Sequence, residues 1–85
     1  MFYCYILYSP RSIRFYIGQT NEINNRLNRH NKGQVNSTKH YLPWELVGFI
    51  EKPTRSEAMM LERKLKNLNT RDLKSFIHKY FNKSF

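Results

Sequence analysis

The sequence predicts an α+β (α/β) fold: a three-stranded antiparallel sheet flanked by helices, in the order ββαβαα. Three observations predict it. Two β-branched and aromatic runs, "FYCYILY" (2–8) and the stretch 13–18, flank a short turn. A third apolar run follows Pro43, within "LPWELVGFIE" (42–51). The remaining segments repeat apolar residues at helical spacings of three and four. A hairpin, one further strand and amphipathic helices bury their apolar faces most simply as helices laid on an antiparallel sheet.

Each element has its own signals. Ser9-Pro10-Arg11-Ser12 is turn material, with Pro10 pre-setting φ. If Tyr8 pairs with Ile13 across it, Tyr5 falls directly opposite Tyr16, with Cβ atoms about 5 Å apart. Tyr3 shares that face, because strand side chains alternate. Thr20 or Asn21 is the expected cap of a first helix, with Glu22 in its first turn. That helix runs to about Lys32 and stops at Gly33. Residues 33–42 read as polar loop. Thr54 or Ser56 caps a second helix, "SEAMMLERKLKNLN", ending near Asn69. The third covers 70–82, capped by Thr70, with Leu73, Phe76, Ile77 and Tyr80 on one stripe.

The totals bound what such a chain can be. Its 85 residues make one domain, able to bury roughly two-thirds of its surface in a thin core. Six Phe, six Tyr and one Trp argue for a folded protein. Fifteen Lys and Arg against six Asp and Glu give a net charge of +9, which points to a polyanionic partner, nucleic acid before others. The single cysteine, Cys4, excludes an internal disulfide and a cysteine-based zinc site. No apolar stretch approaches the ~20 residues of a membrane span, and no targeting pattern is evident. The expectation is a cytoplasmic protein.

Polar residues then stand where apolar ones are expected. On the first helix, Ile23 and Leu27 mark the inward stripe, and Arg26 and His30 share it. The plain alternative is a stripe edge, with Arg26 running out to solvent. On the second helix, Ala58, Leu61, Leu65 and Leu68 define the stripe, and Glu62 falls inside that arc. A carboxylate there needs an ion pair, a hydrogen bond or a metal. An ion pair with Arg26 or a lysine is the plain reading. If the three faces converge, they bring together phenols, a guanidinium, an imidazole and one carboxylate. That set suits phosphodiester hydrolysis. A carboxylate can hold Mg²⁺, which keeps several waters. An arginine can neutralise charge on phosphate. A phenol or imidazole can take a proton from water.

These residues resemble the GIY-YIG endonuclease family. The second tripeptide of its name is intact as Tyr16-Ile17-Gly18. The first is degenerate as Tyr3-Cys4-Tyr5 and keeps its last tyrosine. Tyr5 and Tyr16 stand eleven positions apart. The family's helical arginine falls on Arg26, its following histidine on His30, and its glutamate on Glu62. The likeness spans nearly the whole chain. It extends to the nuclease domain of excision-repair nucleases and to small structure-specific nucleases.

The resemblance implies a metal-dependent DNA endonuclease, with one Mg²⁺ or Mn²⁺ on Glu62 and the scissile phosphate on Arg26. Tyr5, Tyr16 and His30 would position and deprotonate the water, and the metal would stabilise the leaving 3′-oxygen. Gly18 would be a structural turn letting the backbone pass closely between strand and helix. Asn69 and Lys74 stand nearest to an asparagine that several members carry. Lys39 and His40 are candidates to touch the DNA backbone. The expected substrate is branched or single-stranded DNA, cut with little sequence preference in repair or recombination, by a monomer or weak homodimer. The alternative is a non-catalytic nucleic-acid-binding module that keeps the fold. A third reading takes the aromatic end, "FIHKYFNKSF", as a partner surface.

Overall fold

A computed structural model describes residues 1–85. The chain runs β1 (Phe2–Ser9), β2 (Arg14–Thr20), α1 (Ile23–Asn31), β3 (Glu45–Lys52), α2 (Arg55–Lys66) and α3 (Thr70–Phe81). This is the expected ββαβαα order. The sheet is antiparallel, in the order β2-β1-β3. β1 takes the centre because it alone is apolar on both faces: Cys4, Tyr5, Ile6 and Leu7 are all buried.

The two faces of the sheet serve different layers. Cys4, Ile6 and Ile17 pack with Val47, Leu65, Leu73 and Ile77, under α2 and α3. On the other face Tyr5, Leu7 and Trp44 pack with Tyr16, Ile23 and Leu27, under α1. The second layer is thinner and more polar. The only fully buried residue of α1 is a histidine, His30.

The hairpin register corrects the expectation. Tyr5 pairs with Gly18, and Tyr16 pairs with Leu7. The loop is still four residues long, but it is Pro10–Ile13, because Ser9 closes β1 opposite Arg14. Ser9 is fully buried; its hydroxyl donates to the Tyr41 carbonyl at 2.7 Å and accepts the Ser12 N–H at 3.3 Å. Those bonds hold it in the strand. Ile13 then lies in the turn, at φ 52°, and not in β2. The net slip is two residues, so no side chain changes face. Tyr5 and Tyr16 stay together as diagonal neighbours, with ring centroids 6.3 Å apart. Tyr3 sits in regular strand opposite Thr20 and packs edge-on against Phe49.

The helix ends also differ from expectation. Glu22, not Thr20 or Asn21, is the N-cap of α1, and Thr20 Oγ1 accepts its N–H at 3.1 Å. Gly33 follows the helix at φ 72°, the left-handed stop expected of it. Thr54 caps α2 reciprocally, accepting from Glu57 N–H and donating to the Glu57 carboxylate. α2 ends at Lys66, short of Asn69, because Asn69 is already the N-cap of α3 in place of Thr70. Phe81 and Phe85 fold back onto the sheet, while Tyr80 and much of Phe85 stay exposed. Phe81 lies against Gly48, and Phe85 packs on Tyr8 and Phe15 at ring distances of 4.7 and 5.3 Å. No helix is long and apolar enough to cross a membrane.

The stretch 33–44 is more than polar loop. Asn31 clamps the Trp44 backbone with both ends of its amide, at 2.7 and 3.0 Å. The Trp44 indole N–H donates to the Thr38 carbonyl at 3.0 Å. Thr38 and Trp44 are both buried as a result.

Candidate active site

Tyr5 and Tyr16 reach the site because β1 and β2 both turn these side chains toward α1. Gly18 makes the space. It lies within β2, not in a turn, which corrects the role expected of it. The Tyr5 ring covers it: a Cβ at Gly18 would stand 2.5 Å from the Tyr5 hydroxyl oxygen and 2.7 Å from Cζ. The residue is glycine because a tyrosine ring occupies its side-chain space. Gly18→Ala is therefore expected to push the hydroxyl out of place and to destabilise the fold by roughly 1–3 kcal/mol, the usual scale of overpacking. Urea unfolding checks the loss, and it should fall on the midpoint with little change in slope.

The Tyr5 hydroxyl meets His30 Nε2 at 2.9 Å, and His30 Nδ1 meets Thr38 Oγ1 at 2.8 Å. All three side chains are buried. Thr38 Oγ1 also directs its own hydrogen toward the Val35 carbonyl, at a long 3.4 Å. That direction is compatible with the tautomer in which Nδ1–H donates to Thr38 and Nε2 accepts the Tyr5 O–H. His30 sits at the end of α1 because Ile23, Leu27 and His30 share the inward face, with the histidine at the point nearest Tyr5 and Tyr16. The Tyr16 ring stands 4.9 Å from the imidazole, edge-on, and is half-buried.

Burial shifts both titrating groups away from charge. It pushes the Tyr5 phenol up to about 12, with the Tyr16 and Glu62 charges adding and Arg26 opposing. It pushes His30 down to about 4, with Arg26 and Arg29 adding to the effect. The Tyr5–His30–Thr38 group is thus neutral at pH 7. The stability consequence has a definite sign. Between the ordinary histidine value and about 4, the unfolded chain binds a proton that the folded chain refuses. His30 contributes fully above about pH 6.5, and its contribution is lost as pH falls toward 4. The loss is roughly 3 kcal/mol at 1.36 kcal/mol per unit. Thermal melts at pH 7.5, 6, 5 and 4 should show a steady fall that His30→Gln reduces.

Arg26 lies one helical turn before His30 and is half-buried. Its Nε–H is buried without any acceptor. No group of the protein itself occupies this donor, which suits it to an anion. Glu62 lies on α2, the helix packed on the other face of the sheet, and is partly buried, its side chain 21% exposed. It ion-pairs with Lys66 one turn on, at 3.1 Å, the plain alternative foreseen for it. Its charge nonetheless raises both Tyr5 and Cys4, so it stands within electrostatic reach of the phenol. No group of three or more His, Cys, Asp or Glu converges. The donor set at Glu62 is a single hard carboxylate. That fits a hexahydrated-type ion that takes one or two carboxylates and draws the rest from water and phosphate.

The other expected contacts stay apart from this cluster. Lys39 and His40 are exposed in the connection to β3, His40 edge-on to Tyr41. The Asn69 side chain is occupied in capping α3, where it accepts the Asp72 N–H at 2.8 Å. Lys74 lies on α3, over the opposite face of the sheet. Sequence reading missed Thr38, which fixes the imidazole. The one available signal was Trp44, a lone tryptophan closing a polar stretch, which marks an anchored loop rather than a free one.

The GIY-YIG catalytic domain family matches residues 1–83. The chain belongs to that family. The chain is also similar to a solved structure, the NMR structure of the UPF0213 protein BH0048 from Bacillus halodurans, at 28% identity and a TM-score of 0.62, over 95% of this chain and 87% of that one. No curated protein matches the chain. GIY-YIG domains are endonuclease domains that act on DNA and generally depend on a divalent metal.

Proposed function

We propose that this GIY-YIG domain is a Mg²⁺- or Mn²⁺-dependent DNA endonuclease, selective for DNA structure or strand and nearly indifferent to sequence. The observation that carries the reading is Arg26: a half-buried guanidinium whose Nε–H has no partner, one turn from a buried Tyr5–His30–Thr38 chain. A scissile phosphate on Arg26 supplies the missing acceptor. Glu62 would hold the metal, which when bound supplies charge stabilisation at the phosphate and leaving oxygen.

The remaining roles follow from burial. Tyr16, Arg26 and Glu62 are the members a nucleic-acid strand can touch; Tyr5 and His30 lie behind them, where only a water would reach the Tyr5 hydroxyl. Tyr16 orients the water. Tyr5 takes a proton from it while passing its own along the existing bond to His30 Nε2, so no free phenolate forms. Phosphate raises the basicity of His30, because it neutralises Arg26 and Arg29, two of the causes that hold the imidazole down. The hydroxide then attacks phosphorus, and the 3′-oxygen leaves.

The small basic surface favours binding through phosphates, hence strong salt dependence and weak sequence readout. The likeness to repair nucleases motivates a place in repair or recombination, in the cytoplasm, as a monomer or weak homodimer. A panel of flaps, forks, nicked duplex, single strands and linear duplex tests the reading with Mg²⁺ and with Mn²⁺. Preferential cutting of branched or single-stranded substrates is expected. Equal binding of all with cleavage of none would leave only a binding module.

A further inference from the structure

Beside Arg26 lies a groove of about 260 Å³ lined by eight residues, none of them apolar. It contains three arginines, Arg26 and Arg29 from α1 and Arg55 from the start of α2. None of the three is ion-paired; the chain's two ion pairs are Lys66–Glu62 and Arg71–Asp72. Glu22, the one acid in the lining, pairs with no cation. Like charges gathered in one concavity, three cations to one unpaired carboxylate, repel one another unless an anion joins them. Arg55 is also held in place. Its guanidinium lies 4.7 Å over the Phe2 ring, and Nη1 donates to Gln19 Oε1 at 3.4 Å. A stacked, pre-oriented guanidinium at a groove mouth suits a phosphate better than a mobile lysine would.

We propose that this groove binds the phosphodiester next to the scissile one, and that Arg29 and Arg55 are positioning residues for the nucleic-acid backbone. Gln19 and Asn25 add neutral donors to the phosphate oxygens. With no aromatic ring lining the groove, there is no platform on which a base can stack. The site therefore reads backbone and not sequence. The inference rests on the nuclease reading for its substrate, and it names a contact that the motif residues do not supply.

The test is equilibrium binding of a 20-nucleotide single strand, in chelator so that nothing is cut, across a salt series. Compared are the parent, Arg29→Ala, Arg55→Ala, the double variant, Arg55→Lys, and Arg11→Ala as a control at the hairpin turn. Each groove alanine is expected to flatten the log–log salt slope by roughly 0.7 and to weaken binding several-fold. Arg55→Lys should keep the slope, and an abasic strand should bind within about twofold of the normal one. An unchanged slope in the double variant overturns the proposal. So does an equal effect of Arg11→Ala, or loss of binding by the abasic strand. Because turnover plays no part, a parent that cleaves nothing but shows these slopes defeats the nuclease reading and leaves the backbone site standing.

Discussion

Arg26→Ala and Glu62→Ala are each expected to lower the rate of DNA cleavage by about 10²–10³-fold, the scale of removing one preorganised charge from a transition state. The two variants should differ in everything else. Arg26→Ala removes a buried N–H that has no acceptor in the free protein, so the fold should keep its melting temperature or gain a little. It also removes a cation that depresses His30, so less stability should be lost as pH falls from about 6.5 toward 4. Glu62→Ala forfeits only the exposed-side pair with Lys66, worth a few tenths of a kcal/mol. It should bind DNA as tightly as the parent, because the basic surface is intact. Single-turnover cleavage, melting and DNA affinity, measured together, check all of this. Full cleavage by either variant would remove that residue from the site.

His30→Ala carries the largest expected loss of stability. The ring is fully buried and bonded at both nitrogens. Its removal leaves a cavity and strands the Tyr5 and Thr38 hydroxyls away from water. Cavity formation and orphaned polar groups together reach about 3–5 kcal/mol. A small domain holds little more than that in total. The variant is expected to be largely unfolded at 37 °C by circular dichroism. His30→Gln restores an acceptor and a donor on a smaller frame and should recover much of the fold without the proton relay. A stable, well-packed His30→Ala would mean that the Tyr5–His30–Thr38 chain organises nothing.

The fold was legible in the sequence where periodicity and turn chemistry agreed. β1, the two long helices and the overall order are visible in alternation, caps and the Thr54/Glu57 pattern. The candidate set was proposed because polar groups on apolar stripes are anomalies: Arg26 and His30 on α1, Glu62 on α2. Three things were not legible. The hairpin register depended on Ser9 being held by Tyr41, thirty-two residues away. The role of Gly18 depended on that register, since only with Tyr5 opposite it does the ring cover the glycine. Thr38 depended on the fold of residues 33–44, which no local pattern encodes and which Asn31 and Trp44 fasten from outside. In each case the missing information was a contact distant in sequence, not a propensity.

The central claim is that this chain is a metal-dependent endonuclease, and closed circular DNA tests it most directly because it has no ends. The measurement is conversion of supercoiled plasmid and of circular single strands by the purified protein, in Mg²⁺, in Mn²⁺ and in chelator. The expected result is nicked or linear product with either metal, none in chelator, and none with Arg26→Ala or Glu62→Ala. Circles left intact with both metals, by protein that is folded and binds them, would contradict it.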